Sequence, residues 1–205
     1  MVDICVAEDV PWEISSSPFY WWHNIPGSDH IINAKNVTAM VGGILALLGP
    51  RAGGSIKHIF IGGHGADGQQ SIGLGASGAD YTGNTQLRLG PNGTLLGVAG
   101  PMLAKLAPYL APDCVVTLGG CQVAESEVGR KFLLAVSKTL GGVAVQASNV
   151  QQWTIKGQIQ GTIWRAYHGE IYNLGQWSKI PEFQPGTSRW PPQSSGTKFN
   201  PVSKV

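Results

Sequence analysis

Charged side chains are scarce, 13% of the 205 residues, about half the usual share of a globular chain. The net charge is only +2. It is scattered, with no Lys/Arg stripe and no interleaved aromatic and basic pattern, which excludes a nucleic-acid partner. Cysteine is equally sparse. Three widely spaced residues, an odd number, form neither a disulfide framework nor a zinc site. Long apolar runs are missing as well, since no stretch approaches the roughly 18 residues a membrane span needs. The start, M-V-D-I-C-V-A-E-D, lacks the basic and apolar regions of a secretory signal. These absences predict a soluble protein of a reducing compartment, cytoplasmic or exported without a classical signal peptide. They also predict no membrane span, no metal and no other cofactor.

Glycine, by contrast, is plentiful at 29 residues, and two of its pairs frame the most informative part of the chain. Ile56 opens the run I-K-H-I-F-I-G-G-H-G, and Cys114 opens C-V-V-T-L-G-G-C-Q-V-A-E. Each is a short apolar segment of the kind buried in a parallel sheet. Each stops at a glycine pair and delivers a reactive residue, His64 in the first and Cys121 in the second.

The remaining chain supplies an α/β pattern. Val2 to Ala7 reads as a first strand, with Cys5 as a small buried hydrophobe. Glu8 to Asp29 reads as a long loop whose aromatic cluster, Phe19 to His23, packs down or lines a cleft. His23 and His30 have no third ligand at metal-binding spacing. A helical pattern starts at Asn33 and carries Val37, Met40, Val41, Ile44, Leu45 and Leu48 on one face until Gly49-Pro50.

The glycine-rich stretch from Gly65 to Pro91 contains two alternating pieces, Ser71 to Leu74 and Gln86 to Leu89, and predicts a small hairpin or flap. Leu95 to Leu110 reads as a helix with Pro101 near its start. Cys114 in the second strand is expected to be core. Glu125 to Leu140 is the clearest helix, with Val128, Phe132, Leu133, Val136 and Leu140 on one face and Gly141-Gly142 as its stop. Val143 to Ala147 is a third buried strand, and Gln151 to Ile155 with Gly161 to Tyr167 alternate like an antiparallel pair. Residues 1–180 form the expected domain, and 181–205 have the composition of an extended or disordered tail.

Strands alternating with helices predict an α/β sandwich with its ligand site beyond the carboxyl ends of the strands. His64 and Cys121 both fall there. A thiol gains nucleophilicity as its thiolate, which a nearby histidine or helix N-terminus favours. His64 would serve as base or leaving-group acid. The Gly65 and Cys121 amides would stabilise an oxyanion, and Gly119 and Gly120 leave room for a substrate carbonyl. Either residue alone also fits a structural role; their pairing at the ends of two central strands favours chemistry.

An apolar strand ending in His-Gly, followed by one ending in a small residue and Cys, resembles the caspase-like (clan CD) cysteine peptidases. The separation of His64 and Cys121 is close to the roughly 50 residues seen in caspases. The text G-G-C-Q-V-A-E-S-E-V-G-R-K-F-L-L-A-V and G-G-V-A-V-Q-A-S is most similar to bacterial members, the toxin self-processing domains and caspase-like modules of surface proteins. The resemblance covers roughly Ile56 to Trp164.

It implies a caspase-like three-layer sandwich, with a mostly parallel central sheet, helices on both faces and a hairpin flap. It implies a thiol protease with His64 and Cys121 as dyad, Gly65 and Cys121 as oxyanion hole, and a protein or peptide substrate, with self-processing as one form of that activity. Gly119, Gln146, Ala147, Ser148, Asn149 and Trp153 would line the pocket for the residue before the scissile bond. Thr154 stands where caspases carry arginine and Gly119 where metacaspases carry aspartate, so an uncharged residue is the expected preference. Asp67 and Asp80 are the acidic residues near His64 that argue against it. A catalytically silent binding or scaffold module, or another acyl transferase or amidase on the same dyad, fits the same residues. Arg130, Lys131, Lys138, Lys156 and Arg165 are basic positions suited to a solvated surface or to a polyphosphate. Nothing in the sequence indicates an oligomeric state.

Overall fold

The computed structural model describes residues 2–8, 30–50, 53–72, 82–152 and 160–176. The aromatic loop 19–23, Asp80, Trp153, Lys156 and the tail 181–205 lie outside them. The described chain is α/β. Strands β1 (Val2–Glu8), β2 (His30–Ala34), β3 (Ile56–Ile61), β7 (Leu110–Leu118), β8 (Ala144–Ser148), β9 (Thr162–Tyr167) and β10 (Glu170–Gln176) form one seven-stranded sheet in the order β10-β9-β8-β7-β3-β1-β2. The run from β2 to β8 is parallel, and β9 and β10 close one side antiparallel. Between β3 and β7 a small antiparallel sheet is built from β4 (Gly65–Ala66), β5 (Gln69–Ser71) and β6 (Gln86–Arg88). It lies in the stretch expected to form a flap, but its first two strands precede most of the expected Ser71 to Leu74 piece, of which residues 73–74 lie outside the described residues, and Gly68 at φ 75° turns between them.

The helices are α1 (Val37–Leu48), α2 (Ala99–Ala104) and α3 (Glu127–Thr139). They lie in a row, α1 against α2 and α2 against α3. The crossovers β2 to β3, β3 to β7 and β7 to β8 all advance the same way across the sheet, and right-handed connections then stack their helices on one side. Helices were expected on both faces; among the described residues they occupy one.

That helix-bearing face is the core. The paired residues Ile4, Ile59, Val116, Val145, Ala166 and Ile171 run across it as one buried row. The next row on the opposite face, Cys5, Phe60, Thr117, Gln146, Arg165 and Tyr172, is largely polar. Within it Gln146 Nε2 donates to Thr117 Oγ1 at 3.0 Å, and Arg165 Nε donates to Gln146 Oε1 at 2.9 Å.

Several boundaries differ from the expectation, each for a local reason. His30–Ala34 is a strand paired with β1, so the first helix starts at Val37, where Asn36 caps it by accepting from the Ala39 N–H at 2.8 Å. The predicted helix over 95–110 is the short α2 followed by a 3-10 turn at Ala107–Tyr109, and Leu110 already belongs to β7. Pro108 cannot continue an α-helix. In α3 the core face is Phe132, Leu133 and Val136, while Val128 is 53% exposed. Gln151 and Gln152 are not strand residues; β9 pairs with β8 and with β10, a strand the pattern did not predict. No helix of the described residues is long and apolar enough to cross a membrane.

Candidate active site

Ile61 at the end of β3 stands opposite Leu118 at the end of β7, and the Gly119 N–H donates to the Ile61 carbonyl at 2.8 Å. His64 follows Ile61 by the same three positions as Cys121 follows Leu118. Both reactive residues therefore leave the sheet at its carboxyl edge from neighbouring strands. The two loops meet at glycine. A Cβ on Gly65 would sit 2.8 Å from the Cys121 nitrogen and oxygen, and one on Gly120 would sit 2.7 Å from the Gly65 Cα. Only residues without a side chain permit that approach.

His64 is exposed and Cys121 half-buried. The Cys121 Sγ accepts from the Gln152 N–H at 3.3 Å and lies 3.9 Å from the Gln152 carbonyl oxygen. The other two thiols are fully buried. Burial pushes Cys5 up to about 11. Burial, reinforced by Asp113 and Asp3, pushes Cys114 higher still. Such thiols are inert near neutral pH, and both match the core role expected of them. Cys121 is the one cysteine with access to solvent.

The backbone around the pair leaves donors unclaimed. The Ser71 N–H donates to the His64 carbonyl at 2.8 Å, which makes those two a hydrogen-bonded pair of the β4–β5 hairpin. Gly65, opposite Gln70, then occupies the alternate position, with its N–H out of the ladder. The Cys121 N–H donates to no described residue. Two such amides beside a thiol can receive the oxygen of a tetrahedral intermediate.

The predicted pocket residues fare differently. At Gly119 a Cβ would lie 2.4 Å from the Phe60 ring, so that position is filled by Phe60. Gln146 is fully buried in the polar row described above. The Ala147 side chain belongs to the core on the helix side, so it can contribute to a pocket only through its backbone. Ser148 Oγ donates to the Gln160 carbonyl, and Asn149 Oδ1 accepts from the Thr162 N–H at 2.9 Å. The Cys121 turn is stitched to this segment: Gln122 N–H to Val150 carbonyl at 2.9 Å and Ala124 N–H to Ser148 carbonyl at 3.0 Å. Gln122 takes a left-handed φ of 56° to make that turn.

Asp67, weighed as a specificity residue, has another task. One carboxylate oxygen accepts from the Ser126 and Gly129 N–H groups at 2.9 and 3.1 Å, and the other accepts from the Ser126 hydroxyl. It thus ties the flap to the amino end of α3, where negative charge is favourable. The basic positions are dispersed. The Arg130 guanidinium lies 4.6 Å from the Trp164 ring centroid, Lys131 pairs with Glu127 at 2.7 Å, and Arg165 is buried on the opposite sheet face.

Two glutamines escaped the sequence reading. Gln70 links the two motifs, and Gln152 flanks the sulfur with its backbone while its side chain bonds Gln160 and Val150. Neither sits in a recognisable motif. The one available signal was a polar residue, Gln70, in an otherwise turn-like D-G-Q-Q-S segment. No protein-family model, no curated protein and no solved structure matches the chain.

Proposed function

We propose that the chain is a cysteine endopeptidase working through a His64–Cys121 dyad, of the caspase-like kind its motifs resemble. The thiolate of Cys121 attacks the scissile carbonyl and forms a thioester. His64 takes the thiol proton and returns it to the departing amine, and water activated by His64 then hydrolyses the acyl-enzyme. The Gly65 and Cys121 amides receive the oxyanion in both steps. The observation that carries the reading is the shared register of β3 and β7, which brings both reactive residues to one sheet edge, with Gly65 after His64 in contact with Gly120 and Cys121.

A protein or peptide is the substrate, and self-processing is included in the activity. An uncharged residue before the scissile bond is the proposed preference: of the two acidic residues near His64, Asp67 is committed to α3, and Asp80 lies outside the described residues. The test is a peptide-library cleavage profile. Cys121→Ala and His64→Ala should each abolish cleavage, including any self-cleavage seen on a gel. Full activity in the Cys121 variant would sink the proposal.

One observation favours a second reading, a silent scaffold module: the sulfur is bracketed by the N–H and carbonyl of Gln152. In that case Cys121 alkylates with iodoacetamide no faster than free cysteine. An amidase or transferase on the same dyad is separated by product analysis alone.

A further inference from the structure

Beyond Gly119 the β3–β7 ladder ends, yet the two loops that carry the reactive residues stay in contact at Gly65 and Gly120. Gln70 occupies the space between them and is fully buried. Its Oε1 accepts from the Gly120 N–H at 2.8 Å. Its Nε2 donates to the His64 carbonyl at 3.3 Å and to the Ser71 carbonyl at 2.9 Å. The amide orientation follows from its partners, since the oxygen faces an N–H and the nitrogen faces two carbonyls.

We propose that Gln70 is a positioning residue for the reaction, a side-chain rung that replaces the missing backbone rung and sets the distance between the His64 and Cys121 loops. It is buried and so does not touch substrate. It acts through the backbone: one end holds the Gly119–Gly120 peptide unit, one residue ahead of the unit entering Cys121, and the other holds the peptide unit entering Gly65. The second of these carries the Gly65 amide assigned to the oxyanion, and the first is joined through the Gly120 Cα to the unit that carries the Cys121 amide. A fixed spacing between them matters because electrostatic stabilisation needs both donors about 3 Å from one developing charge, and a shift of about 1 Å can cost roughly 100-fold in rate. The kinetic part rests on the peptidase reading; the geometric part does not.

The test compares wild type with Gln70→Met, which keeps an unbranched chain of similar length and removes both hydrogen-bonding ends. For the proteolytic reaction kcat should fall by about 10- to 100-fold with KM changed less than about threefold. Iodoacetamide alkylation of Cys121, a displacement that builds no oxyanion, should proceed at the wild-type rate. A variant with wild-type kcat and only a lowered Tm would overturn the proposal, as that is the signature of packing alone.

Amide hydrogen exchange on the wild-type protein is the second measurement and needs neither activity nor a folded variant. Gly120 should be protected well beyond Cys121, although both lie outside the sheet. Equal and fast exchange at the two positions would equally overturn the rung. If wild type cleaves nothing in the library, the peptidase reading fails, and the exchange result still decides whether Gln70 holds the loops.

Discussion

Gly65 and Gly120 touch at the junction of the two loops, and each is required there by distance alone. A methyl group at either would fall under 3 Å from backbone of the other loop, and backbone cannot swing aside as a side chain can. Gly120→Ala should therefore force the Cys121 turn away from His64 and lower the cleavage rate about 100-fold, measured with the best library peptide. Gly42, on the exposed side of α1, has nothing within 4 Å of its would-be Cβ. Gly42→Ala should raise stability by about 0.5–1 kcal/mol and leave cleavage unchanged. Wild-type rates in Gly120→Ala would show that this contact does not position the dyad. The pairs G-G-H and G-G-C were visible in the sequence. That the glycines after and before the reactive residues meet each other was not, because such a contact is a property of two loops and of neither alone.

At the scale of elements, α3 is anchored from outside itself. Ser126 caps it by accepting from the Val128 N–H at 3.0 Å, and Asp67 from the flap claims the Ser126 and Gly129 donors. Asp67→Ala should cost about 2 kcal/mol, the worth of charge-assisted bonds and a cap together, read from the urea midpoint. Asp67→Asn keeps one accepting oxygen and should lose about half as much. The same tie joins the flap to the segment following Cys121, so Asp67→Ala should also lower activity. The 3.6-residue pattern revealed this helix and most of its buried face. Val128 was misplaced because position on a helical wheel does not say how wide the buried stripe is. The strand His30–Ala34 was overlooked for a related reason: its exposed and half-buried residues alternate over too few positions to stand out, and it is defined by pairing with β1.

At the scale of the whole molecule, the parallel sheet buries two thiols, Cys5 in β1 and Cys114 in β7, and their burial makes stability depend on alkali. The folded chain keeps Cys5 protonated to about pH 11, whereas an unperturbed thiol ionises near 9.0. Unfolding releases that proton between these values. The contribution is thus complete below pH 9 and is lost as pH rises toward 11, by up to about 2–3 kcal/mol. Cys114 is shifted in the same direction. Urea unfolding at pH 8, 9 and 10 should show the decline, with a shallower slope in Cys5→Ala; an unchanged slope would trace it to other groups. The sequence by itself determined the alternation of strands and helices, the two central strands and the residues at their ends, since apolar periodicity and glycine stops are local properties. Only the tertiary structure decided which side chains meet: Ala147 turned into the core, Asp67 spent on α3, and Gln70 set between the loops. Those facts depend on register, on sheet face and on the close approach of distant backbone, and none of these is carried by neighbouring residues along the chain.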